Sequence, residues 1–154
     1  MGWKLGRTKN ASIQWKVESH LLGQHVVALA VAADGSIWAG TYSNGVWFKA
    51  ADSDSWQLHR AGDYGLHSAF TSDIEIDSTG NVWFAHGRYG GGGSVYYTDG
   101  SWEQFTGPIW SIAVADDGTA YFSKEDAGLA IRWGGYDYPI LENGYWSTPD
   151  RWQA

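Results

Sequence analysis

The sequence predicts an all-β chain built from three copies of one four-stranded antiparallel unit, and three observations carry that prediction. A ten-residue pattern recurs without internal gaps at Leu29–Trp38, Ile74–Trp83 and Ile112–Tyr121: an alternating apolar run, a Gly-containing turn and an aromatic-bearing second run. The distance between copies drifts, 45 residues from Leu29 to Ile74 but 38 from Ile74 to Ile112, so register is held inside the unit and relaxed in the loops. Composition agrees, with 16% aromatic residues, only 18% charged residues and 21 glycines in 154 residues, a balance that favours strands and tight turns over solvated helices. Short strands repeating at roughly 40–45 residues are the signature of β-propeller blades, which stack their faces on one another.

Each element follows from local pattern. Period-2 alternation predicts first strands near 26–32, 73–77 and 109–115. Asp34-Gly35, Thr79-Gly80 and Asp117-Gly118 then supply the positive-φ position of a short hairpin, which Gly takes at least steric cost. Second strands are expected near 37–40, 82–85 and 120–123, and third strands from Val46, Ser94 and Leu129. Fourth strands are expected at Trp56, Trp102 and Trp146, each following a small or polar residue. The resulting blades span about 26–59, 70–105 and 109–149 of a single module, 1–154. An orphan segment, 12–17 with Trp15 at its centre, resembles a fourth strand placed ahead of the first complete unit.

Three blades fall short of the four to eight that propellers usually carry, and an open blade face exposes apolar surface. Self-association is therefore expected, two chains forming a six-bladed ring about a two-fold axis, with a cut from a longer chain as the competing explanation. The net charge of −7, with Lys and Arg scattered, disfavours nucleic acid and anionic membrane surfaces. With no cysteine there is no disulfide framework and no thiolate site. No apolar stretch reaches the roughly 18 residues of a spanning helix and no secretory leader is read at the start, so a cytoplasmic location is expected if the sequence is complete.

The segment Asp34-Gly35-Ser36-Ile37-Trp38-Ala39-Gly40-Thr41-Tyr42-Ser43-Asn44-Gly45-Val46 closely resembles the two-component-regulator propeller repeat. The second copy keeps Gly80-Asn81-Val82-Trp83 but has Ala85-His86 for Gly-Thr, and the third has Tyr121 for Trp and Ser123 for Gly. The resemblance implies a ligand-sensing or scaffold role, with polysaccharide breakdown products among the ligands associated with such repeats. Gly80-Asn81-Val82-Trp83-Phe84 also resembles the repeats of streptogramin-lyase-like propellers, which implies as an alternative an enzyme using His86, His67 and Glu75.

Recurrence at one structural position reads Trp15, Trp38, Trp56, Trp83, Trp102 and Trp146, with Gly35, Gly80, Gly118 and Tyr121, as the blade framework. Loops joining fourth to first and second to third strands share one end of a propeller. His25, Tyr42, His67, His86, Arg88, Tyr89 and Trp110 map there, an aromatic, imidazole and guanidinium set suited to a sugar or a small anion. Asp73, Glu75 and Asp77 alternate along one strand face and are weak candidates for a hard cation, though Asp77 also fits ordinary turn chemistry. No elbow, zincin or phosphate-loop motif is present and no cofactor is implied. The expectation is a non-catalytic module that binds a ligand, such as a carbohydrate, or that serves as a subunit of a larger assembly.

Overall fold

Tight turns fix the registers from which the sheets grow. In a computed structural model, which describes residues 19–63, 65–87, 91–124, 128–133, 136–139, 141–142 and 145–146, Gly35 N donates to Ala32 O and Ala32 N to Ser36 O, both at 2.9 Å. Gly80 with Asp77 and Gly118 with Ala115 repeat the arrangement. The three glycines sit at φ 89°, 91° and 81°, the left-handed conformation that closes a type I turn with a glycine bulge. Asp34 locks its turn by accepting from both Ser36 N (2.8 Å) and Ser36 Oγ (2.7 Å), and these bonds hold its carboxyl below the usual range.

Three four-stranded antiparallel sheets result. Blade 1 is β1 (Val26–Val31), β2 (Ile37–Thr41), β3 (Val46–Lys49) and β4 (Gln57–His59) in spatial order β1-β2-β3-β4. Blade 2 repeats this with β5 (Asp73–Ile76), β6 (Val82–Ala85), β7 (Gly93–Tyr96) and β8 (Trp102–Phe105). Blade 3 comprises β9 (Ile109–Val114), β10 (Ala120–Lys124), β11 (Gly128–Trp133) and β12 (Tyr136–Pro139). The first strands adjoin one another, β1 against β5 and β5 against β9, so the sheets stack with their inner edges together in a propeller-like arrangement.

Blade 3 differs from expectation at its outer strand. Trp133 pairs directly with Tyr136, and β12 takes the place of the fourth strand. Tyr145–Trp146 (β14) instead pairs with Leu141–Glu142 (β13) in a separate hairpin. The segment 12–17, with Trp15, lies outside the described residues.

Period-2 alternation along β6 divides the core in two. Val82 and Phe84 point toward blade 1 and join Trp38, Val46, Leu66 and Ile74, whereas Trp83 and Ala85 point toward blade 3 and join Val95, Phe105, Ile112 and Phe122. Trp38 meets Phe84 edge-on at 5.5 Å between ring centroids, and Trp102 stacks on Phe84 at 5.6 Å. Polar ties run beside these cores. Asp73 Oδ2, on β5, accepts from Ser111 Oγ (2.6 Å) and Ile112 N (3.0 Å) of β9, and Glu103 pairs with Arg132, whose guanidinium lies 5.1 Å from the centroid of Phe105. No helix among the described residues is long and apolar enough to cross a membrane.

Candidate functional site

The segment between blades 1 and 2 is pinned by its backbone. Gly45 N donates to Ala69 O (2.8 Å), Thr71 N to Thr41 O (3.0 Å) and Ser72 N to Ala85 O (2.8 Å), tying the segment to both second strands. Gly40 permits this, because a Cβ there would stand 2.8 Å from Thr71 Cγ2. Phe70, in this segment, bridges one candidate from blade 1 and one from blade 3. Its ring meets Tyr42 edge-on at 5.5 Å and Trp110 edge-on at 6.2 Å. Tyr42 in turn stacks on His25 at 5.2 Å with an interplanar angle of 17°, while Tyr42 N extends the β1–β2 ladder to His25 O (2.9 Å).

The structure therefore joins His25, Tyr42 and Trp110, through Phe70, in one aromatic row from blade 1 to blade 3, with Tyr42 and Trp110 exposed. The indole of Trp110 lies against Gly87, where a Cβ would stand 2.5 Å from Trp110 Cδ2. Gly87 occupies in blade 2 the repeat position that Tyr42 occupies in blade 1, so the missing side chain leaves the space that Trp110 fills. Phe70 was not singled out by the sequence reading. The repeat alignment carried the signal, since Phe70 precedes Ile74 by four residues as His25 precedes Leu29.

His86 departs from its expected place at the loop mouth: it is fully buried. Its Nδ1 lies 2.8 Å from Phe70 O and 3.4 Å from Thr71 Oγ1, and its Nε2 lies 3.1 Å from Ser94 Oγ. A carbonyl can only accept, so the network assigns the proton to Nδ1 and leaves Nε2 to accept from Ser94 Oγ–H. Ser94 Oγ accepts from His67 N (2.9 Å), and the His67 ring stacks on His86 at 6.4 Å. Burial drives the pKa of His86 down to about 4, opposed by its bond to Phe70 O and reinforced by His67. His86 is thus a neutral prop beneath Phe70, with His67 beside it. Arg88 and Tyr89 lie outside the described residues.

The acidic candidates do not converge. Asp73 faces β9 through the bonds above and also accepts from its neighbour Ile74 N (3.0 Å). Glu75 has its pKa raised, chiefly by burial and further by the charge of Asp73. Burial opposes ionisation of Asp77, but hydrogen bonds from Trp83, Thr79 and Asn81 outweigh it and hold its carboxyl below the usual range. Asp77 Oδ2 accepts from Trp83 Nε1 at 3.0 Å, so this carboxylate anchors the repeat Trp. Among the described residues no three His, Asp or Glu side chains are grouped to hold a metal ion.

At the opposite end of the stack, beside the Gly35 and Gly80 turns, a groove of about 590 Å³ runs between blades 1 and 2. Trp38, Phe48, Ile76 and Tyr96 line it, with Asp34 and Thr98 at its polar margin. Within each blade successive turns alternate between the two ends, so this groove and the aromatic row lie apart.

No protein-family model and no curated protein matches the sequence. Solved structures do match. Virginiamycin B lyase from Staphylococcus aureus superposes with a TM-score of 0.63 at 14% identity, over 79% of this chain and 43% of the lyase. The extracellular domain assigned to a one-component system of B. thetaiotaomicron, BT4673, gives 0.64 at 14% identity over 76% of this chain and 17% of that one. The extracellular domain assigned to a hybrid two-component system of the same organism, BT3049, gives 0.54 at 23% identity over 70% and 15%. The likeness is one of fold, and this chain spans less than half the length of each of these proteins. Two of these neighbours are extracellular domains, which lends no support to a cytoplasmic location.

Proposed function

We propose that the chain is a non-catalytic propeller module that binds a carbohydrate along the row His25, Tyr42, Phe70 and Trp110. The observation that carries this reading is the row itself: four rings, from blade 1, from the segment that joins it to blade 2 and from β9 of blade 3, in successive contact, with Tyr42 and Trp110 exposed. Aromatic faces offer large apolar contact at low entropic cost and suit the C–H faces of pyranose rings. A platform on hydrogen-bonded backbone is preorganised, so little ordering free energy is lost on binding. The resemblance of residues 34–46 to the two-component-regulator repeat, and the likeness to extracellular domains of one- and two-component systems, fit a sensing or capture role.

The lyase-like alternative would need an accessible base. His86, its leading candidate, is enclosed, with both ring nitrogens within hydrogen-bonding distance of neighbours, which favours binding over turnover. The experiment is a glycan array probed with the wild-type chain and with Trp110→Ala. Retention of an oligosaccharide by the wild type that disappears in the variant supports the reading; no retention, or retention indifferent to Trp110, rejects it.

A further inference from the structure

We infer that the open face of blade 1 is a docking surface for the third blade of a second copy of this chain. The internal repeat supplies the argument. Leu29, Ile74 and Ile112 occupy one repeat position, as do Val31, Ile76 and Val114. In blades 2 and 3 these side chains belong to the face that receives the preceding blade: Ile74 is 4% exposed and Ile112 5%, with Ile76 and Val114 packed against the same cores. No blade precedes blade 1 among the described residues, and Leu29 is 64% exposed and Val31 67%. Val27 continues the exposed apolar line along the same side of β1.

The donor face is present at the other end of the stack. Blade 1 offers blade 2 a small residue on its inner strand and an aromatic on the next, Ala30 and Trp38, and Ile74 and Ile76 pack with them. Blade 3 carries the same pair at the same repeat positions, Ala113 and Tyr121, on the side turned away from blade 2. Ala113 is exposed and Tyr121 half-buried. The outgoing face of blade 2 differs, placing Asp73 and Glu75 on its inner strand, where blade 3 has the neutral Ser111 and Ala113. An uncharged donor suits the uncharged acceptor Leu29 and Val31. Ala39 and Ile131, farther out on the two faces, are already covered, which confines the new contact to the inner strands, the same kind of contact that β1 makes with β5 and β5 with β9.

Because the donor and acceptor are different surfaces, the contact is head-to-tail, and two copies close it by joining each third blade to the other's first. Six blades lie within the range at which propellers close.

The test is solution mass across concentration for the wild type, Leu29→Asp, Tyr121→Lys and an equimolar mixture of the two variants, with circular dichroism confirming that each is folded. The wild type is expected to reach twice the chain mass, each variant alone to lose that doubling, and the mixture to regain it. The mixture pairs one intact contact with one Asp–Lys contact. Val31→Glu replaces Leu29→Asp if the latter does not fold. A wild type that keeps the mass of one chain to its solubility limit overturns the inference and assigns the face to another part of a longer protein. A doubled mass that survives Leu29→Asp, or that the mixture fails to restore, overturns it equally.

Discussion

Acidification tests the role of His86 because burial of its imidazole sets the sign of the effect. The imidazole is buried, with Phe70 O and Thr71 Oγ1 at Nδ1, Ser94 Oγ at Nε2, and the His67 ring as the titratable group packed on it. Its pKa is about 4 in the folded chain against an ordinary 6.5. Between these values the unfolded chain binds a proton that the native chain refuses, so stability rises with pH there. The contribution of neutral His86 is complete above about pH 6.5 and is lost as pH falls toward 4, an effect on the order of 3 kcal/mol. Asp34, Asp77 and Asp99 also have lowered pKa values and lose stability on acidification, so the wild type alone cannot isolate His86. Urea unfolding of the wild type and His86→Gln at a series of pH values between 7.5 and 4 removes that shared background. The difference in unfolding free energy between the two chains should move against the wild type by roughly 3 kcal/mol as pH falls. A difference that stays constant over the range would refute the buried, neutral assignment.

Two further outcomes test the packing. Phe84→Ala removes a fully buried ring between Trp38 and Trp102 and should lower unfolding free energy by about 3–5 kcal/mol in urea titrations. Trp83→Phe keeps most of the ring volume but deletes the donor to Asp77 Oδ2, and should cost about 1–3 kcal/mol above pH 5, with a smaller penalty once Asp77 is protonated.

The framework was legible because its signals are local. An alternating run followed by Asp-Gly or Thr-Gly determines strand, turn and register within ten residues, and the observed strands start or stop within a residue or two of the pattern. The outer strand of blade 3 departs from the repeat: Tyr136–Pro139 pairs with β11, while Trp146, the residue that matches Trp102 in pattern, pairs with Leu141 instead.

The site was only partly legible. His25, Tyr42 and Trp110 were named from the repeat, yet the ring linking Tyr42 to Trp110, Phe70, is an apolar loop residue that reads as core until the repeat is aligned. His86 looked like a polar loop group. It is buried because the segment 69–72 folds over it and offers a carbonyl and a hydroxyl, a tertiary arrangement with no counterpart in spacing. Asp73 and Asp77 likewise looked available, but backbone and side-chain donors from β9 and from the turn occupy them.

Calorimetric titration of an oligosaccharide retained on the array is the most direct test of the aromatic row as the binding surface. The wild type and Phe48→Ala, altered in the groove at the far end of the stack, should bind with the same affinity, whereas Trp110→Ala should show no heat of binding. Loss of binding in Phe48→Ala with retention in Trp110→Ala would place the site in the groove and contradict the account.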